Sequence, residues 1–333
     1  MYSSVSTTYH LQPKTYLCYT IIMNSTVAIP YIIAVIRGGT INSNQSLLDG
    51  QDILRSLTGI GYEPLDILID VDGNWTMKGR PTDAHYVFTI AGYVVDTTRD
   101  IEAPHRELAK KMWIPLLLSH DDSITLDRED MYRLFRQHGL PTPKTLVVRA
   151  NTETPKETFR TVWNTFHTPL MVRPLKKDRE HESVLVRQYT DLEKVLADYH
   201  NDNIDVHIFT YKPTRTLSIA ILPKFRGNKL YTPLAVETFA PLKSIPRKDH
   251  PMRAVFKAGE EENEAIRKAA ESAYEALALS GHALIDMIPY KDGYMVINVD
   301  VKPSLSKDGR FLQSLATTGV NLGQYVHSFI NNH

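Results

Sequence analysis

A chain of 333 residues can bury a large core and usually divides into two or three compact units. Its 38 basic and 38 acidic residues cancel, which removes any overall electrostatic case for a nucleic-acid or membrane-surface partner, and no apolar run is long enough to cross a bilayer. The single cysteine, Cys18, rules out an internal disulfide and a thiolate zinc site and points to a reducing, cytoplasmic setting.

The first 22 residues are rich in Ser, Thr and Tyr and carry Lys14 but no acid. A secretory signal needs a basic start and a longer apolar stretch. Residues 1–30 are therefore expected to be a disordered extension, or the product of a start codon placed too early with Met23 as the true start. Tyr31 to Ile36 is a short β-rich run, ended by Arg37-Gly38-Gly39-Thr40. Ser46 to Leu57 then shows helical spacing of Leu47, Leu48, Ile53, Leu54 and Leu57. Pro64 to Asp70 reads as a second strand, with a turn at Asp72-Gly73-Asn74 and a short strand at Trp75 to Lys78 forming an appended hairpin. Tyr86 to Ile90 is expected to be the third strand. A helix at Ala103 to Met112 and a strand at Ile114 to Leu118 complete a βαβ-type unit with a parallel sheet.

An amphipathic helix over Asp127 to His138 is stopped by Gly139, with Pro141 and Pro143 beyond it. Strands follow at Lys144 to Val148, Leu170 to Arg173, Val184 to Arg187, Val206 to Thr210 and Thr216 to Leu222, with helices at Pro155 to Phe166 and Asp191 to His200. Their irregular alternation predicts an α+β lobe with largely antiparallel sheet. Phe239 to Ala254 is rich in Pro, Lys and Arg and is long enough to be a functional loop. A long helix at Glu260 to Ser280, strands at Ala283 to Ile288 and Tyr294 to Val301 around Lys291-Asp292-Gly293, and a helix at Asn321 to Ile330 close the chain.

Four stretches, in this order and spacing, resemble the D-alanine-D-alanine ligase family of ATP-grasp enzymes from Ile32 onward. They are Ala34 to Thr40 followed by Ser46-Leu47; Tyr62 to Asp70 with Asp72 to Trp75; Leu126 to Arg128 through Gly139 to Pro143, with Met171-Val172-Arg173-Pro174; and Gly281 to Pro303, followed by Gly319-Val320-Asn321. The resemblance implies an α/β and α+β chain with the ATP-grasp fold. A pre-ATP-grasp parallel-sheet lobe would span 31–124, a central ATP-grasp subdomain 125–215, and a C-terminal subdomain with a metal-binding hairpin 216–333.

In such a ligase ATP phosphorylates one amino-acid carboxylate, and the amine of a second attacks the acyl phosphate. The resemblance therefore implies ATP and Mg²⁺ as cofactors, a small-molecule amino acid or peptide as substrate, and a homodimer. It assigns the metal to Asp286, Asn298 and Asp300, of which Asn298 and Asp300 are two apart on one strand and share a face. The family has Glu then Asn where this chain has Asn298 then Asp300. An amide does not bridge two ions as a carboxylate does, so weaker or single-metal binding is expected; a solvated polar hairpin face is the other reading. Arg128 and Arg173 stand where the family places two phosphate-binding lysines, and the planar guanidinium is not a simple replacement for an ammonium. Phe209 and Thr210 follow at the place that reads adenine and ribose, where Thr216 replaces an acid. Phe209 could stack on a base, but an aromatic in a strand is more often core than ligand.

The arginine that stabilises the tetrahedral intermediate is replaced by Leu284, which has no donor to offer developing negative charge. No residue of the chain takes over the catalytic role by sequence alone. The acid for the first substrate's amino group is absent from Ile41 to Gln45, the family's His-Gly loop is reduced to Ala91-Gly92-Tyr93, and Ser304 replaces a substrate-side glycine. Lys243, Arg247 and Lys248 of the Phe239 to Ala254 loop are either phosphate-reaching or solvated. Three functions remain open: a diverged ATP- and Mg²⁺-dependent carboxylate-amine ligase with a degraded active site and weakened ATP and Mg²⁺ binding; a catalytically inactive homologue that binds a nucleotide, a small ligand or a protein; or ordinary D-alanine-D-alanine ligation carried by substituted residues.

Overall fold

The computed structural model describes residues 32–39, 43–98, 103–114, 116–117, 128–150, 155–175, 183–210, 215–239, 252–253, 256 and 258–331. The expectations for residues 1–30, for Ile41 and Asn42, and for the loop lysines and arginine between 240 and 251 lie outside them.

The first lobe holds a six-stranded sheet in the order β4-β3-β2-β1-β5-β6. Its strands are β1 (Ile32–Gly38), β2 (Glu63–Ile69), β3 (Trp75–Met77), β4 (Arg80–Thr82), β5 (Tyr93–Asp96) and β6 (Leu116–Leu117). β1 pairs in parallel with β2 and β5, while β3 and β4 are antiparallel at the edge. Ile33, Ala34, Val35 and Ile36 are fully buried, the continuous apolar run of a strand covered on both faces. At the glycine turn a Cβ on Gly38, whose φ is +96°, would lie 2.1 Å from the Ile69 carbonyl oxygen, so only glycine lets the chain pass there. Helix α1 (Ser43–Gly59) packs on β1 and β2.

The segment Tyr86 to Ile90 is a correction: it lies in helix α2 (Ala84–Ile90), not in a strand. Its β-branched and aromatic residues carry strand propensity, but Asp83 caps the helix by accepting from the Tyr86 amide at 2.9 Å. Val87 and Phe88 are buried and Tyr86 is exposed, a helical rather than alternating pattern. The third parallel strand is β5, so Ala91-Gly92 precedes it and the loop at its C-terminal end starts at Thr97. Helix α3 (Pro104–Lys111) follows β5.

A second, wholly antiparallel sheet runs β7-β10-β8-β9, built from β7 (Thr145–Val148), β8 (Leu170–Pro174), β9 (Val184–Val186) and β10 (Val206–Thr210). Helices α5 (Pro155–Thr165) and α6 (Tyr189–Asn201) share its core through Val162, Leu192 and Leu196. Helix α4 (Arg128–Gln137) precedes β7.

The third sheet, β14-β13-β11-β15-β16 with β12 attached to β11, is antiparallel. It comprises β11 (Arg215–Pro223), β12 (Leu230–Tyr231), β13 (Val236–Phe239), β14 (Met252–Arg253), β15 (Ala283–Tyr290) and β16 (Gly293–Asp300). One face packs Ile219, Ile285 and Met287 against helix α7 (Glu260–Ala276) and against Met131 and Phe135 of α4. The other face meets α8 (Arg310–Ala316), α9 (Leu322–Asn331) and the first lobe: Leu284, Phe311 and Tyr325 share a core with Val35, Leu57 and Val95. No helix among the described residues is long and apolar enough to cross a membrane.

Candidate functional site

The β15–β16 hairpin sets Asp286 opposite Asn298 and Leu284 opposite Asp300. Positions two apart share a face, so these four side chains line one side, as the sequence spacing required of Asn298 and Asp300. The register then slips, Met287 pairing with Val296, which leaves Ile297 unmatched as a β-bulge. The freed Ile297 carbonyl accepts from the Tyr132 hydroxyl at 2.9 Å and ties α4 to the hairpin.

Asp286 is buried and fully engaged. Its Oδ1 accepts from the Ser218 hydroxyl and from Arg310 Nη1, each at 2.6 Å, and its Oδ2 accepts from Asn298 Nδ2 at 3.1 Å. Arg310 Nη1 also donates to Ser218 Oγ at 2.9 Å. Asn298 gives its carbonyl oxygen to Arg128 Nη2 at 3.1 Å. Asp300 Oδ1 accepts from the Lys302 amide at 3.0 Å. Burial pulls the Arg128 pKa down from its ordinary value, opposed by the charges of Tyr132, Asp286 and Asp300. Burial likewise pushes the Tyr132 phenol up, against the pull of Arg128 and Arg173, so Tyr132 lies within the field of both arginines.

The second group is on the central sheet. Arg173 on β8 pairs with His207 on β10, and its guanidinium carbon lies 5.6 Å from the Phe209 ring centroid. Arg173 Nε donates to Ser183 Oγ at 3.0 Å, and the rings of Tyr132 and His207 are 6.0 Å apart. Thr210 ends β10, paired with Leu170. Of the residues singled out by sequence, Arg128, Asp286 and Asn298 thus form one network with Asp300 in its field, and Arg173 and Phe209 form another. No contact joins Thr210 to either among the described residues. Leu284, only 3% exposed, belongs to the core.

Sequence reasoning missed Arg310, Ser218 and Tyr132. A signal for Arg310 was present: a cation in the first turn of a helix opposes the helix dipole, and Gly309 before it supplies no side-chain cap. An arginine in that position invites a search for the acid it pairs with. The first lobe meets the site at Asp49 of α1, whose Oδ1 accepts from Gln45 Nε2 at 2.9 Å, Ser304 Oγ at 3.0 Å and the Leu305 amide at 3.0 Å. Ser304 is thereby tied to α1, Gln45 Nε2 also reaching it at 2.7 Å.

The donor set of two carboxylates and one amide is of the hard-oxygen type that suits Mg²⁺. Its arrangement does not suit it. Asp286 already holds a guanidinium, and Asn298 turns its NH₂ toward Asp286 and its oxygen toward Arg128. Among the described residues no three His, Cys, Asp or Glu side chains form a metal-binding group.

Residues 134–331 match the family described as D-ala D-ala ligase C-terminus. Among solved structures, the chain is similar to a D-Ala:D-Ser ligase from Enterococcus faecalis, with 17% identity and a TM-score of 0.71 over 91% of this chain and 99% of that one. It is similar to D-alanyl-alanine synthetase A from Vibrio cholerae, with 13% identity and a TM-score of 0.75 over 92% and 98%. A D-alanine-D-alanine ligase from Bacillus anthracis complexed with ATP gives 16% identity and a TM-score of 0.69 over 91% and 97%. At these identities the likeness shows the fold. No curated protein sequence matches the chain.

Proposed function

Because the chain belongs to the D-alanine-D-alanine ligase family of ATP-grasp proteins, we propose that it is a diverged ATP-dependent ligase joining a carboxylate of one small amino acid or peptide to an amine of another. The observation that carries this reading is the convergence of Arg128, Asn298, Asp286 and Arg310 from α4, β16, β15 and α8 at 2.6 to 3.1 Å. Two guanidinium groups set around one carboxylate in a partly buried place leave positive charge that an anionic ligand would offset.

Bound ATP supplies the phosphoryl group that turns a carboxylate into an acyl phosphate. Arg173, whose guanidinium lies beside Phe209, is proposed to hold phosphate oxygens, with Phe209 and Thr210 bordering the nucleotide. Arg128, whose other N–H groups have no partner among the described residues, faces phosphate from the hairpin side. Arg310 offers its guanidinium to the negative charge that develops when the amine attacks, a duty that Leu284 cannot perform.

A second reading is favoured by two features: Leu284 is sealed in the core, and the Asp49 carboxylate is committed to Ser304 and Leu305. On this reading the scaffold binds a ligand without turnover. Calorimetric titration with ATP separates the two, followed by a screen of amino-acid pairs for phosphate release. Ligation predicts ATP binding and amino-acid-dependent phosphate release; no binding at millimolar ATP leaves the scaffold.

A further inference from the structure

We infer that Arg310 and Arg128 occupy the role of the metal ion at this hairpin, so that phosphate charge is met by two fixed guanidinium groups and no divalent cation binds between Asp286 and Asn298. The inference draws on the ligase reading only for the identity of the anion.

The Asp286 carboxylate argues first. A Mg²⁺ ion sits roughly 2.0–2.1 Å from each oxygen ligand and demands near-octahedral surroundings. Arg310 Nη1 and Ser218 Oγ already lie 2.6 Å from Oδ1, and Oδ2 takes Asn298 Nδ2. A divalent ion entering here would displace a cation that remains tethered a few ångströms away, and guanidinium cannot shed its charge to make room.

The Asn298 amide argues independently. Arg128 offers only donors and ionised Asp286 only acceptors, so a single orientation satisfies both neighbours: oxygen to Arg128, NH₂ to Asp286. An ion shared by Asp286 and Asn298 needs the amide oxygen turned toward Asp286. That flip sets the amide NH₂ against Arg128 Nη2, donor facing donor, and leaves both unpaired in a largely buried place. Glutamate in this position, the family's choice, has two equivalent oxygens and escapes this conflict; asparagine does not.

Arg310 is equipped for the role. Its side chain is 33% exposed, and among the described residues only Nη1 is engaged, so Nε and Nη2 remain for a phosphate or carboxylate oxygen. It comes from the helix that follows the hairpin rather than from the strand, and the Leu284 position is free to pack as core.

The test titrates Mn²⁺ alone into the full-length protein, read by the electron paramagnetic resonance signal of the free ion, for wild type, D286N, R310M and the R310M/D286N double variant. Wild type and D286N are expected to be indistinguishable up to about 1 mM ion. R310M is expected to gain Mn²⁺ affinity by about tenfold or more, and the double variant to lose that gain. A wild-type site that D286N abolishes overturns the inference, as does a folded R310M protein that gains nothing. Should R310M not fold, the comparison of wild type with D286N decides alone. No nucleotide is present, so failure of ATP to bind, which would sink the ligase reading, leaves this outcome unaffected.

Discussion

Leu284 stands directly opposite Asp300 in the β15–β16 ladder, yet the two belong to different environments: Leu284 to the core against α8 and α9, Asp300 to the field of Arg128. Restoring the family's arginine by L284R is therefore expected to destabilise rather than repair. A guanidinium forced among Leu305, Phe311 and Leu315 must give up its water inside that core and push the packing apart to reach Asp300 opposite, and the cost is of the order of 3 kcal/mol or more. L284M, which conserves volume, is expected to cost less than about 1.5 kcal/mol. Urea midpoints measure both; an L284R protein as stable as wild type would contradict the placement of this side chain.

Metal dependence of nucleotide binding follows from the two arginines. ATP affinity measured by calorimetry in EDTA is expected to fall within about threefold of that in Mg²⁺, a difference under roughly 1 kcal/mol. A hundredfold gain on adding Mg²⁺ would show that the ion and not the arginines carries the phosphate.

Arg173 should matter to the nucleotide and little to the fold, since its side chain is part-exposed on β8 beside Ser183 and the Phe209 ring. R173A is expected to weaken ATP binding by about 1.5–3 kcal/mol, the range for hydrogen bonds to charged groups. R173K should recover only part of it, because an ammonium cannot make the paired contacts of a guanidinium. Equal affinity in R173A and wild type would remove Arg173 from the site.

Asp96 carries a pH dependence whose sign can be worked out. Burial alone would raise its pKa, but the hydrogen bond and charge of His105, the charge of Arg106 and the hydrogen bond of Thr98 outweigh this and hold the carboxyl well below the usual range. A carboxyl depressed in the folded state stabilises above its unfolded value of about 4, and that stability is lost as pH falls from there toward the folded pKa. D96N takes the facing carboxylate from the buried Arg106, which keeps only neutral partners such as the Thr98 carbonyl in its place, and is expected to cost about 3–5 kcal/mol at pH 7. The gap to wild type should narrow below about pH 4. A gap unchanged between pH 7 and pH 3 would refute the assignment.

Asp49 ties the first lobe to the segment after the hairpin. D49A is expected to cost about 1–3 kcal/mol, because it strands the Leu305 amide. Any amino-acid-dependent phosphate release should show a raised KM, as Ser304 loses its anchor. Unchanged stability would mean that water replaces the carboxylate there.

Much of the frame could be read from the chain. The unbroken apolar run of β1, the alternating hairpin strands with their Lys291-Asp292-Gly293 turn, and the capless but long α7 each carry a local pattern strong enough to decide. Tyr86 to Ile90 did not, because its residues favour a strand and the deciding contact was one Asp83 carboxylate on one amide. The short strands β12, β13 and β14 were missed: two to four residues hold too little periodicity, and β14 is fixed only by pairing with β13. At the site, the residue types at Asp286, Asn298 and Asp300 were legible, but their partners were not. Arg310 is 24 residues from Asp286, Ser218 is 68 away and Arg128 is 170 from Asn298. Which way an amide faces depends on neighbours that only the tertiary structure supplies.

The cluster that joins Val35, Leu57 and Val95 to Leu284, Phe311 and Tyr325 has a bearing on how the protein can be divided. The family match starts at residue 134, but the piece beginning there ends in a half-core. Expressed by itself, it would turn the apolar underside of the third sheet and of α8 and α9 to water, and it should aggregate unless α1 and the parallel sheet are supplied in trans. The segment that relatives share by sequence is thus smaller than the segment that must fold together.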